Sequence, residues 1–210
     1  MASNLVYQEV IRAIDLELGT ALEKAFASAK RILIPKIRQI IEDSIKNHPI
    51  YHRFVAGDEV YHQFGIPGIQ GRMDKIIKLI VQDIKFDYVL PTNLSTGNVQ
   101  FLVTVLDLDF EKILNSEEAQ FHTSNGYTLP WLDWLLLSSN SPVVFGFHYF
   151  PFTGKKQSRT GTGLMIPNGN WAVPSSINTN PNNNWLTQSL DRVNDEISIF
   201  VEDTIANSFF

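Results

Sequence analysis

Cysteine is absent from the 210-residue chain, which excludes disulfides, thiolate nucleophiles and cysteine metal sites. Basic charge is scarce: 17 Lys and Arg stand against 22 Asp and Glu, a net charge of -5. A dedicated nucleic-acid binder carries a basic face, and the only local basic cluster outside a helix is Lys155, Lys156 and Arg159. Long apolar runs are missing too. The best, residues 129–137, falls short of the roughly 18 residues that suggest a membrane span, and it contains Asp133. The start, Met1-Ala2-Ser3-Asn4, lacks the basic and apolar segments of a secretory signal. The sequon at Asn93-Leu94-Ser95 therefore reads as a plain turn, and a reducing cytoplasm fits the composition.

Catalytic signatures are equally thin. Gly161 and Gly163 open a G-x-G pattern, but Ile166 stands where the third glycine belongs and no helix follows. There is no Walker lysine and no G-x-S-x-G elbow. His48 and His52 lie four apart, a metal-pair spacing only on a helix that also offers an acidic base and a third ligand. Pro49 breaks that helix, so the pair reads as a solvated turn, and no metal or cofactor is expected. Asp107, Asp109 and Glu111 alternate along a strand end opposite Leu106, Leu108 and Phe110. They form either a metal or acid–base site or the wet face of a strand leaving the core.

What the chain does have is apolar periodicity, with 44% hydrophobic residues. Val6, Val10, Ile14, Leu18, Leu22, Ala25, Ala29, Ile32, Ile37, Ile40 and Ile45 make a helical stripe over the first 47 residues. A kink or break is expected at Gly19-Thr20 or at Pro35, and His48-Pro49 ends the helix. A shorter helix covers 72–82, with Met73, Ile76, Ile77 and Ile80 on one face. The period then changes to two: Ile84, Phe86, Tyr88 and Leu90 oppose Lys85 and Asp87, a half-buried strand. A turn-rich stretch from 91 to 98 leads to a second strand over 99–110, antiparallel to the first. A weak strand at 119–123, a helix at 129–137 with Pro130 in its first turn, and an inner strand at 143–150 follow, with 161–166 beside it.

Residues 150–158 and 168–184 read as mobile surface loops, the second rich in Asn, Ser and Pro. The last helix runs from Asn183 or Asn184 as cap to Asn207, and its stripe makes Leu190 and Ile197 core residues. The expected fold is one α+β domain over 1–210, with 1–47 as a helical arm. An antiparallel sheet of four to five strands is packed by the long N-terminal helix, a short central helix and the C-terminal helix. The four tryptophans, Trp131, Trp134, Trp171 and Trp185, carry an N–H that needs a partner when buried, so each suits either the core or an assembly interface.

Several short blocks resemble, in the same order, a pattern of phage virion proteins. They are His48-Pro49-Ile50-Tyr51, Phe64-Gly65-Ile66, Leu129-Pro130-Trp131 with Trp134, Ser158-Arg159-Thr160-Gly161, Trp171-Ala172-Val173-Pro174 and Asn183-Asn184-Trp185-Leu186. The chain is similar to the neck or tail-completion family of tailed bacteriophages, with His48 where that pattern usually has serine. The resemblance implies a non-enzymatic virion protein made in the host cytoplasm. It implies a homohexameric ring that joins head connector to tail, touches neighbouring neck and tail proteins and lets DNA pass without specific binding. Trp131, Trp134, Arg159, Trp171 and Trp185 are the candidate interface residues, and the net negative charge makes Asp107, Asp109 and Glu111 candidates to face the lumen of such a ring. Alternative readings are a tail-terminator ring, a soluble protein-binding adaptor, and a metal-dependent hydrolase using Asp107, Asp109 and a histidine.

Overall fold

The computed structural model describes residues 2–89, 102–106, 110–138, 141–152, 158–177 and 180–208. In chain order the elements are α1 (Ala2–Lys46), α2 (Pro49–Val55), α3 (Glu59–Phe64), α4 (Ile69–Gln82), β1 (Ile84–Val89), β2 (Leu102–Leu106), α5 (Phe110–Leu114), β3 (Phe121–His122), β4 (Thr128–Leu129), α6 (Trp131–Leu137), β5 (Pro142–Phe150), β6 (Leu164–Ala172) and α7 (Trp185–Asn207). They group into two compact units, each drawn from separated segments. One holds Met1–Ile40, Asp83–Leu108 and Asn194–Phe210; the other holds Ile41–Gln82 and Asp109–Val193.

Helix α1 runs through Gly19, Thr20 and Pro35 as one helix, so of the expected kink or break the break does not occur. Leu33 and Ile37, on either side of Pro35, are fully buried, and that packing outweighs the one N–H the proline removes. Thr20 donates its hydroxyl back to the Leu16 carbonyl at 2.9 Å, a bond made within the helix.

In the first unit, β1 and β2 form an antiparallel ladder that pairs Ile84 with Leu106 and Asp87 with Thr104. Ile84 and Phe86 are buried while Lys85 and Asp87 are exposed, as the period of two requires. Phe86 meets Phe26 of α1, with 6.3 Å between ring centroids. Leu22, Ala25, Ala29 and Leu33 of α1 and Val201 of α7 belong to the buried set of this unit.

In the second unit the core is helical. Ile41 and Ile45 of α1, Phe54 of α2, Ile69, Met73, Ile76, Ile77 and Ile80 of α4, and Trp131, Leu132, Leu135 and Leu136 of α6 are all buried. Polar cross-links fix the helices. Ser44 donates its hydroxyl to the Ser189 carbonyl at 2.7 Å. His48 caps α2: its Nδ1 accepts the Ile50 N–H, and its Nε2 lies 3.0 Å from Gln188 Oε1. Asn184 caps α7, its Oδ1 accepting the N–H groups of Leu186 and Thr187.

Several expectations are corrected. The strands do not join into one sheet of four to five; among the described residues they form three separate two-stranded antiparallel ladders, β1–β2, β3–β4 and β5–β6. Alternation identifies a half-buried strand but carries no information on its partner, and these ladders are split between the two units. Pro49 does not abolish the helix near the histidines: it occupies the first turn of α2, where no N–H is needed. His48 is buried rather than solvated, because the cap holds it. Pro130 is the N-cap of α6, not part of its first turn. The strand expected over 99–110 does not reach Phe110, which opens α5; Glu111 is an exposed residue of that helix, while Asp107 and Asp109 lie outside the described residues.

Strand β5 is not an inner strand, since Phe145 and Phe147 are exposed. Residues 168–172 continue β6 instead of opening a loop, and Asn184 and Ile177 within the Asn-rich stretch are buried; residues 153–157 and 178–179 lie outside the described residues. Leu190 and Ile197 are only half-buried, and α7 buries Leu186, Ser189, Val193, Val201 and Thr204 instead. Among the described residues no helix is long and apolar enough to cross a membrane.

Candidate functional site

The second unit contains an open cleft of about 860 Å³. One wall is the end of α3. Asp58 starts this helix by accepting the Val60 N–H at 2.8 Å, and Gly65 ends it in the left-handed conformation at φ 63°. The missing side chain at Gly65 matters: a Cβ there would stand 3.1 Å from Nη2 of Arg159, so glycine lets the guanidinium approach the helix end.

Behind this wall runs a file of aromatic rings. Phe54 meets Phe64 with centroids 5.1 Å apart, Phe64 meets Trp171 at 5.3 Å, and Trp171 meets Trp134 at 5.8 Å, all edge to face. The indole N–H of Trp171 donates to Gln63 Oε1 at 3.2 Å, which ties β6 to α3. His62 Nδ1 and Thr160 Oγ1 lie 3.0 Å apart. The turn carrying Thr160 is held internally, with the Ser158 hydroxyl donating to the Thr162 carbonyl at 2.7 Å.

Among the described residues, the cleft's single Lys or Arg is Arg159, and no Asp or Glu lines it. The Arg159 guanidinium lies 5.5 Å from the Phe121 ring centroid, and Arg72 lies at the same distance from that ring. Arg72 is anchored by the Gln120 carbonyl and by Glu118. Arg159 has no carboxylate partner among the described residues. Partial burial of its head lowers the guanidinium pKa from its ordinary value, and it remains cationic at neutral pH. The rim is aromatic and exposed: Phe145 is 71% and Tyr127 69% accessible.

Gly163 shapes the far wall. Its φ is 80°, its N–H donates to the Phe152 carbonyl at 2.7 Å, and an added Cβ would overlap the Tyr149 ring. The second glycine of the G-x-G letters thus serves a tight approach between β5 and the turn before β6, while a Cβ at Gly161 would meet nothing within 4 Å.

The structure distributes the sequence-selected residues unevenly. Trp134, Arg159 and Trp171 meet at the cleft. Trp131 and Trp185 are fully buried elsewhere in the unit, and the Trp131 indole donates to the Glu118 carbonyl at 2.8 Å. All four indoles sit inside the fold, so they present little surface of their own to a neighbour. Among the described residues no three His, Asp or Glu gather to hold a metal. The exposed aromatics Phe145 and Phe147 were missed, because a continuous apolar run reads as an inner strand, and Tyr127 because it stands alone in a polar turn; Gly146 between the two phenylalanines, at φ 81°, was the available signal of an irregular edge.

Among the described residues the cleft offers aromatic faces, hydroxyls, amides, the His62 imidazole and one guanidinium, a chemistry suited to docking an apolar segment that carries negative charge. Comparison with known proteins yields no match: no family model fits the chain, and neither the curated proteins nor the solved structures contain a detectable relative.

Proposed function

We propose that this chain is a structural protein of a tailed-phage neck, forming a tail-completion ring that joins the head connector to the tail. The observation that carries the reading is that four of the six blocks resembling that family are in mutual contact. Gly65 of the Phe64-Gly65-Ile66 block faces Arg159 of the Ser158–Gly161 block, and Phe64 and Trp134 both touch Trp171. His48 performs at the start of α2 the capping that a serine hydroxyl performs, so the one departure from the pattern keeps its physical role.

The chemistry of the cleft suits protein docking, because aromatic faces surround Arg159 and the His62 imidazole is engaged by the Thr160 hydroxyl. The net charge of -5 suits a passage in which DNA slides without adhering, and in this reading the exposed Glu111 faces that passage. The protein resides in the virion neck and, before assembly, in the host cytoplasm.

A phage lacking this chain tests the proposal. Filled heads and complete tails should accumulate separately, and added purified protein should restore joined particles. Normal joined particles from the deletion would overturn it.

A further inference from the structure

Val10, Ile14, Leu18, Leu22 and Phe26 follow one another at four-residue steps along α1 and so make one ridge. Its later members are covered, with Leu22 at 9% and Phe26 at 0% exposure; Val10, Ile14 and Leu18 stand at 50%, 42% and 42%. No residue between Gln8 and Ala21 is buried. A helical stretch of that length gains too little from propensity to persist in water alone. The ridge is therefore continuous with the core at one end and uncovered at the other.

The second uncovered apolar surface is the cleft with its rim of Tyr127, Phe145 and Phe147. The two surfaces are unlike and complementary. The ridge is convex and carries exposed Glu17, three residues after Ile14 and therefore on the same face. The cleft is concave, holds no carboxylate, and carries Arg159 without a carboxylate partner among the described residues.

We propose that the α1 ridge of one copy docks in the aromatic cleft of a second copy, with Glu17 directed at Arg159. The inference rests on the ring reading for its choice of a second copy, while charge and shape choose the surfaces. Because the two patches differ, the contact is heterologous: each copy uses its ridge on one neighbour and its cleft on the other. Such a contact repeats head to tail and closes into a ring when the rotation permits.

The absence of cysteine makes a clean test possible. Full-length Ile14→Cys and Phe147→Cys chains are prepared separately; both positions are exposed, so the fold is unaffected. Mixed at high concentration and oxidised, they should give a disulfide-linked 14–147 species well above the links formed by either chain alone. Glu17→Arg in the first chain should lower that yield about tenfold, and Arg159→Glu in the second should restore it. A dominant 14–14 link means that the ridges pair with each other, and no link means that another protein fills the cleft; either overturns the proposal. Rings that close without 14–147 links remove this contact and leave the neck reading standing. Links that form in a protein missing from the head–tail junction remove the neck reading and leave the contact.

Discussion

Phe64 and Trp171 meet edge to face, their ring centroids 5.3 Å apart and their planes at 86°. One ring closes α3 and the other lies near the end of β6, so this contact fastens the strand to the helix at the back of the cleft. Edge-to-face pairs contribute about 0.5–1.5 kcal/mol beyond their burial. A double-mutant cycle of Phe64→Leu and Trp171→Leu, read by urea unfolding, should give a coupling energy in that range. Additive losses would mean that the rings are neighbours without mutual stabilisation.

His48 links stability to pH. Burial, with Arg192 as a lesser cause, lowers its pKa from the ordinary 6.5, and the Gln188 bond offsets this only in part. The folded state therefore binds the proton less tightly than the unfolded one. The stability tied to neutral His48 is complete above 6.5 and declines as pH falls through 6.5 toward the lower folded value. Protonation also removes the Nδ1 acceptor that caps α2. Unfolding midpoints should fall between about pH 7 and pH 5, and His48→Ser, which keeps a capping oxygen, should flatten that part of the profile. An unchanged slope in the variant would place the dependence elsewhere.

Much of this arrangement was legible in the letters. The spacing of Met73, Ile76, Ile77 and Ile80 named the buried face of α4, and the alternation of Ile84 and Phe86 named the inner face of β1. Local pattern did not reveal what lies across from each element. The ladder partners depend on long-range placement, so three pairs were read as one sheet. Pro49 was read as an end because a proline disfavours helix before itself, whereas it also starts helices well. The cleft was half visible. Trp134, Arg159 and Trp171 stood out as residues of special chemistry, while Phe145 and Phe147 resembled core residues because burial cannot be read from hydrophobicity alone.

Gly163 offers a second stability test. Gly163→Ala combines strain at φ 80° with overlap on the Tyr149 ring, and should cost about 2–4 kcal/mol. Adding Tyr149→Ala relieves the overlap and leaves the backbone strain. The double variant should therefore be less destabilised than the sum of the two single ones. A Gly163→Ala protein as stable as the parent would show that β5 and the turn before β6 adjust freely.

The exposed ridge of α1 governs behaviour in solution. Val10→Glu with Ile14→Glu places charge at positions that are 50% and 42% exposed in the single chain, so thermal stability at low concentration should change by less than about 0.5 kcal/mol. Self-association, followed by sedimentation at rising concentration, should be lost. A large stability loss would mean that the ridge is covered within the single chain.

The central claim is that copies of this chain form a closed ring where head meets tail, and a reconstruction of the intact virion tests it most directly. The account predicts a single closed ring at the head–tail junction, sixfold in the family it resembles, with the α1 ridge of each copy in the cleft of the next. Finding the chain outside the neck and tail, or in no closed ring, would contradict it.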